Sequence, residues 1–327
     1  MTGVSAFISF SLILHSESFY GTGSEPSPCV CIFIISAMLI IRTIADLSSY
    51  VASLRADNRS IGLVPTMGAL HDGHISLVKR AVADNDSALV SLFVNPVQFN
   101  NPADLESYPR SEEQDFKLLA EAGAAAVFAP SVEEIFPEGL DASPRKSFDL
   151  GQAAEVMEGK MRPGHFQGVA FIVEKLFRLC LPTRAYFGEK DFQQIAVIRN
   201  MVRSEGIDVE IVPCPILRAD DGLALSSRNA LLSPEQREVA PEIHRALADS
   251  IEYSLTHSVR ATHDSVVERI DAVPHLKVEY FEIVDGRTLL PVDEWEESPW
   301  VVGCITVYCG DVRLIDNIAY RKPQESA

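Results

Sequence analysis

At 327 residues the chain is long enough to bury more than one hydrophobic core, and its apolar and charged fractions are ordinary for a globular protein. A formal charge of −18 argues against a nucleic-acid partner, and it obliges any site for an anionic ligand to gather positive charge locally. The six cysteines show neither CxxC nor zinc spacing, which suits a reducing cytoplasm better than a disulfide framework.

Residues 1–37 contain no Lys or Arg, so the basic segment that opens a secretory signal is missing. The apolar run at 29–41 is shorter than the roughly 20 residues of a membrane-spanning helix. Ser, Gly and Pro over 16–27 break any regular pattern. The expectation is a non-native or disordered leader that reflects the choice of start site, and no membrane partner, with a membrane anchor as the alternative. Strand-like runs at 61–65, 88–94, 124–128, 184–187 and 209–212 then alternate with helical patterns at 75–83, 112–121, 169–179 and 192–205. That alternation predicts right-handed crossovers and an α/β fold with a Rossmann-like, doubly wound parallel sheet. Ligands of such sheets sit beyond the carboxyl ends of the strands. His71, Asn95, Gln98, Lys190 and Asp191 all fall just after predicted strands.

Pro213 and Pro215 interrupt strand pairing and set a boundary. Residues 38–214 are expected to form the first domain and 215–327 a smaller C-terminal α+β domain. In the latter, Ser233-Pro234-Glu235-Gln236 opens a helix with Ser as cap and Gln reaching back. A helical pattern covers 261–270, and 278–284 and 301–308 read as strands.

The segment Val64-Pro65-Thr66-Met67-Gly68-Ala69-Leu70-His71-Asp72-Gly73-His74 joins the first of the alternating strands to its helix. Two imidazoles therefore stand at a helix N-terminus, where free N–H groups and the dipole favour an anion. Gly68 and Gly73 let the backbone approach a ligand closely. A nucleotide phosphate site is the economical reading. The local pattern leaves open half of a metal site, for which no further ligand cluster is visible, or two surface histidines.

This segment resembles the HIGH-type signature of the nucleotidyltransferase superfamily. Four further stretches are similar to one family within it, the pantothenate synthetase (pantoate–β-alanine ligase) family. They are Phe93-Val94-Asn95-Pro96-Val97-Gln98-Phe99, Arg162-Pro163-Gly164-His165-Phe166, Phe187-Gly188-Glu189-Lys190-Asp191-Phe192-Gln193-Gln194 and Asp221-Gly222-Leu223-Ala224-Leu225-Ser226-Ser227-Arg228-Asn229. The likeness runs from about Met38 to about Ala319, in the family's order and with similar spacing. It implies a ligase that condenses ATP-activated pantoate with β-alanine through an enzyme-bound pantoyl adenylate, with Mg²⁺ on the phosphates, in a cytoplasmic homodimer. It also implies a start at Met38, ahead of a first short strand.

By the same resemblance, His71, His74 and Lys190 carry the catalysis. ATP is expected on Met67, Gly68, Ala69, Leu70, His71, Asp72, Gly73 and His74, on Gly188, Glu189, Lys190 and Asp191, and on Leu217, Leu225, Ser226, Ser227 and Arg228. Gln98 and Gln194 are expected at pantoate, with Gln98 also near β-alanine. No Mg²⁺ ligand is assigned.

The side-chain chemistry is compatible with these roles. Lys190 is a mobile point charge suited to phosphate oxygens. Ser226, Ser227 and Arg228 can hold phosphates from a loop that closes. Neutral amides such as Gln98 and Gln194 orient a hydroxy acid or an amine without titrating. Arg218, with Lys190 and Arg228, supplies positive charge beside the motifs. Asn95 and Arg162 are weaker candidates for substrate and phosphate contact, while Phe99, Phe166 and Phe192 read as core or wall. Two other readings stay open: a phosphopantetheine adenylyltransferase-like enzyme, and a non-catalytic ATP-binding protein.

Overall fold

The computed structural model describes residues 38–99, 105–106, 108–140 and 146–323; the expectations for residues 1–37 lie outside them. Six strands form one parallel sheet: β1 (Leu39–Ile41), β2 (Ile61–Thr66), β3 (Ser87–Leu92), β4 (Ala126–Phe128), β5 (Arg184–Gly188) and β6 (Glu210–Cys214). Their spatial order is β1-β4-β3-β2-β5-β6.

Alternation along each strand feeds two apolar layers. Leu63, Leu89 and Phe128 join the layer built with α1 (Ile44–Ala56), α6 (His165–Cys180) and α7 (Phe192–Ser204). Val64, Val90 and Val127 join the opposite layer with α2 (Asp72–Asp84) and α3 (Glu112–Glu121). Helices thus cover both faces, as the sequence predicts. Between them lie two short helices, α4 (Val132–Ile135) and α5 (Met157–Met161).

The position of β2 decides where a ligand can sit. β2 pairs with β3 on one side and with β5 on the other, through Gly62↔Arg184 and Leu63↔Ala185. The chain builds outward from β2 through β3 to β4, then crosses back to start the other half at β5. The connections leaving β2 and β5 diverge there and open a crevice at the carboxyl edge.

The expected interruption at Pro213 does not occur. β6 runs through Pro213, opposite Phe187, to Cys214. It is an edge strand, and because Glu210 donates to Thr183 O the alternate position 213 turns its nitrogen away from β5, so a missing N–H costs the sheet no ladder bond.

The remaining chain forms a second, antiparallel sheet of β7 (Leu276–Asp285), β8 (Val301–Cys309) and β9 (Val312–Arg321). α9 (Glu242–Ser254) and α10 (Val259–Asp271) pack on it around Leu247, Val266, Ile270, Phe281 and Ile305. Ser233 and Gln236 cap α8 (Pro234–Val239) reciprocally, as their spacing predicts.

Candidate active site

The turn after β2 is built by its histidines. His71 is the N-cap of α2: its Nδ1 accepts from the Gly73 N–H at 3.1 Å, and His74 Nδ1 accepts from the His71 N–H at 3.4 Å. A side chain at residue 73 would meet the His71 ring at 2.7 Å, so glycine is what this cap requires. With Nδ1 accepting, a neutral ring carries its proton on Nε2. Burial and then the Lys190 charge bring His71 down to about 4, against the opposing pull of Asp191 and Asp72. Burial, then His71 and Lys190, bring His74 down to about 3. Each ring is therefore a neutral Nε2–H donor at physiological pH.

Both rings line a cavity of about 210 Å³ at the crevice between β2 and β5. Met67, Gly73, Gln98, Gly188, Lys190, Asp191, Gln194, Leu217, Leu225, Ser226, Ser227 and Arg228 line it too. Residues separated by more than 150 positions in sequence are thus brought to one wall. A second cavity of about 510 Å³ adjoins it and shares Lys190, Asp191, Gln194, Ser226 and Arg228.

Five expected residues stand off the wall. Asp72 is exposed at the first turn of α2. Gly68, Ala69 and Leu70 turn their backbone away, the amides of Ala69 and Leu70 donating to the buried Asp115. Glu189 contributes its carbonyl to an internal bond with Asn317 Nδ2 at 2.8 Å. The amides of Ala69, Leu70, His71 and Gly73 at this turn are therefore already in use.

Gln98 is held from three sides. Its Nε2 donates to Met67 Sδ at 2.7 Å, its Oε1 accepts from Asn95 Nδ2 at 3.2 Å, and its carbonyl accepts from His165 Nδ1 at 2.9 Å. Burial and Arg162 lower His165 to about 4, so its neutral Nε2 accepts from Arg162 at 3.3 Å. Asn95, 1% exposed, also donates to Gly168 O, and so serves to place Gln98. Of the paired glutamines, Gln193 is buried with its amide spent on Ala153, Val156 and Glu158. Gln194 faces both cavities.

The loop at 226–228 lies against the histidine turn. Ser226 Oγ caps it by accepting from Arg228 N, and Ser227 Oγ donates to Ala69 O at 3.0 Å. Arg218 does not add free positive charge as the sequence suggests. It is locked in a two-pronged pair with Asp316 at 2.7 and 2.9 Å.

Three positioning residues were not anticipated in these roles: Asp115, His165 and Asn317. Asp115 had a signal. It shares a helical face with Leu119 and Ala122, so a carboxylate on the apolar stripe of α3 demands a buried partner.

The fold and this wall define an α/β enzyme of the nucleotide-activating kind, with paired imidazoles at a switch-point helix. The chain belongs to the pantoate–β-alanine ligase family, whose model matches residues 39–319. It is 58% identical over 283 residues to pantothenate synthetase of Porphyromonas gingivalis, covering 86% of this chain and 99% of that one. With the Bacteroides fragilis enzyme it shares 56% over 285 residues, 87% of this chain and all of that one. Pantothenate synthetase of Thermus thermophilus superposes with a TM-score of 0.80 at 43% identity, over 87% of this chain and 100% of that chain. Pantoate–β-alanine ligase of Francisella tularensis, solved with beta-gamma ATP and β-alanine, gives 0.73 at 36% identity, over 87% and 98%.

Proposed function

We propose that this cavity carries the family's reaction, the ATP-dependent joining of (R)-pantoate to β-alanine. The observation that carries the reading is the convergence of His71, His74, Gln98, Lys190, Gln194 and Arg228 on one wall at the sheet's switch point. The pantoate carboxylate attacks the α-phosphorus of ATP and pyrophosphate leaves. The β-alanine amine then attacks the acyl carbon and AMP leaves. No protein nucleophile is needed, so alignment and charge neutralisation do the work.

In this reading Nε2–H of His71 and His74 and the Lys190 ammonium stabilise the phosphate oxygens, with Arg228 and Ser226 on the pyrophosphate side. Gln98 and Gln194 orient pantoate, and Gln98 also borders the amine. ATP and pantoate belong to residues 38–214, the closing loop to 215–327.

Mg²⁺ is expected on the phosphates. Among the described residues no group of three or more His, Cys, Asp or Glu is arranged to hold a metal, which fits an ion carried mainly by phosphate oxygens. Asp191 is the one carboxylate among the described residues lining the smaller cavity, and would hold it. Bound there, the ion would neutralise phosphate charge. A homodimer in a reducing cytoplasm completes the proposal.

Pantoate-dependent exchange of labelled pyrophosphate into ATP, without β-alanine, is the test. Exchange followed by AMP and pantothenate in equal amounts supports the ligase. Pyrophosphate release without AMP would indicate nucleotidyl transfer, and no exchange a non-catalytic ATP-binding protein.

A further inference from the structure

A buried carboxylate stands behind the histidine turn. Ala69 and Leu70 donate their N–H groups to Asp115 Oδ2 at 2.9 Å and Oδ1 at 2.8 Å, and Asp115 is 1% exposed. These amides follow a left-handed stretch, φ +82° at Gly68 and +49° at Ala69. Successive amides converging on one point otherwise make a phosphate cradle. Here the protein's own anion fills it, so these two amides are not offered to the nucleotide. The other side of the same peptide is engaged as well, since Ala69 O accepts from Ser227 Oγ at 3.0 Å. One peptide unit, between Ala69 and Leu70, links Asp115 to the 226–228 loop.

Resting on the ligase reading, we propose that Asp115 is a positioning residue that fixes the plane of this peptide. It thereby sets both the histidine turn and the point at which the 226–228 loop closes. Without it, adenylation slows and water reaches the adenylate. Water then adds to the acyl carbon, the bond from that carbon to the phosphate oxygen breaks, and pantoate, AMP and a proton leave. AMP release becomes uncoupled from pantothenate, which a purely structural role would not cause.

Asp115→Asn keeps the volume but turns an NH₂ toward the N–H of either Ala69 or Leu70, the latter on the oxygen that also accepts from Ser111 Oγ at 3.2 Å. With ATP, pantoate and β-alanine supplied, it is expected to release more AMP than pantothenate, with pyrophosphate exchange slowed about tenfold or more. Ser227→Ala should also uncouple, and adding Asp115→Asn to it should change the ratio little, because both act through one peptide. Amide hydrogen exchange on the wild-type protein tests the same hold without any variant. Ala69 and Leu70 should be protected without nucleotide and unchanged by ATP. Equal AMP and pantothenate with wild-type exchange in Asp115→Asn would overturn the proposal. So would fast-exchanging Ala69 and Leu70 amides that ATP slows. If the wild type shows no pantoate-dependent exchange, the ligase reading fails instead, and the amide measurement still judges Asp115.

Discussion

The His71 and His74 rings lie 4.1 Å apart between centroids, tilted by 39°, and each spends its Nδ1 on the backbone that presents the other. The pair therefore acts as one rigid donor unit, with protonation of either ring opposed by the cap it would break. A two-donor anion site follows from capping geometry without any cationic histidine.

Removing one transition-state donor typically costs about 10²-fold or more in rate. His74→Ala and His71→Ala should each lower pantoate-dependent pyrophosphate exchange by about that factor, and Lys190→Ala similarly. Wild-type-like exchange in His74→Ala would exclude this turn as the phosphate site.

The same pair has a pH signature. With folded values of about 4 and about 3 against 6.5 for an ordinary histidine, the unfolded chain binds more protons than the folded one below pH 6.5. Stability therefore rises with pH through this window, and is lost progressively as pH falls from 6.5 toward 4 and 3. Denaturation midpoints measured at pH 7 and pH 5 should fall further for the wild type than for His74→Ala. Because Lys190 helps push both values down, Lys190→Ala should move the histidine titrations upward by NMR; an unchanged titration would show that the lysine charge does not reach them.

Gly168 lets α6 approach the Gln98 segment. A Cβ there would sit 2.6 Å from Val97 O and 2.8 Å from Gln98 Cα, backbone atoms with little room to yield. Gly168→Ala should cost about 1–3 kcal/mol in denaturant unfolding, as overpacking does. It should also raise KM for pantoate more than for ATP. Equal KM values with the wild type would mean that Gln98 does not orient pantoate.

The sheet was legible because buried parallel strands are apolar runs between glycine, proline and polar breaks, as in β2 and β3. The motif residues were legible through local chemistry and their place after strands. β9 was not, because the successive residues Asp316 and Asn317, facing opposite sides of the sheet, are both buried polar groups that break its apolar pattern. Yet Asn317 holds the carbonyls of Glu189 and Lys190, so the strand hardest to read helps place the lysine. α1 carries a Thr43 cap and Leu47, Val51 and Leu54 at i, i+4 and i+7, signals sufficient to predict it. Asp115 hides among Glu112, Glu113 and Gln114, where acidic residues suit any helix start and its partner is 46 residues away for Ala69.

The two half-reactions should separate by residue. Gln98 is fixed between Met67 and Asn95 at the smaller cavity, so Gln98→Ala should impair both adenylation and amide formation. Arg228 lines both cavities from the loop, so Arg228→Ala should raise KM for ATP and slow exchange. Single-turnover assays of each half-reaction distinguish them. Loss confined to the amine step in Arg228→Ala would overturn this division of roles.

The larger cavity is braced by Arg313. Arg313, on β9, donates to Glu158 Oε2 and Oε1 at 2.7 Å each and to Glu279 Oε2 at 2.8 Å. Tyr280 and Thr306 also donate to Glu158, at 2.7 and 3.0 Å. Burial works to raise the Glu158 carboxyl, but Arg313, Tyr280 and Thr306 outweigh it and hold it at about 2. Removing Arg313 takes the cation from Glu279 and leaves Glu158, among the described residues, with Arg162 alone, 3.8 Å away; breaking a pair so far out of water typically costs about 3–5 kcal/mol. Arg313→Met should lose that much in denaturant unfolding at pH 7. The carboxylate is depressed in the folded state, so its contribution is full above its ordinary 4.5 and fades as pH falls toward 2. The gap between wild type and Arg313→Met should therefore narrow below pH 4.5. A gap that stayed constant across that range would show that Arg313 stabilises by packing and not by pairing with Glu158.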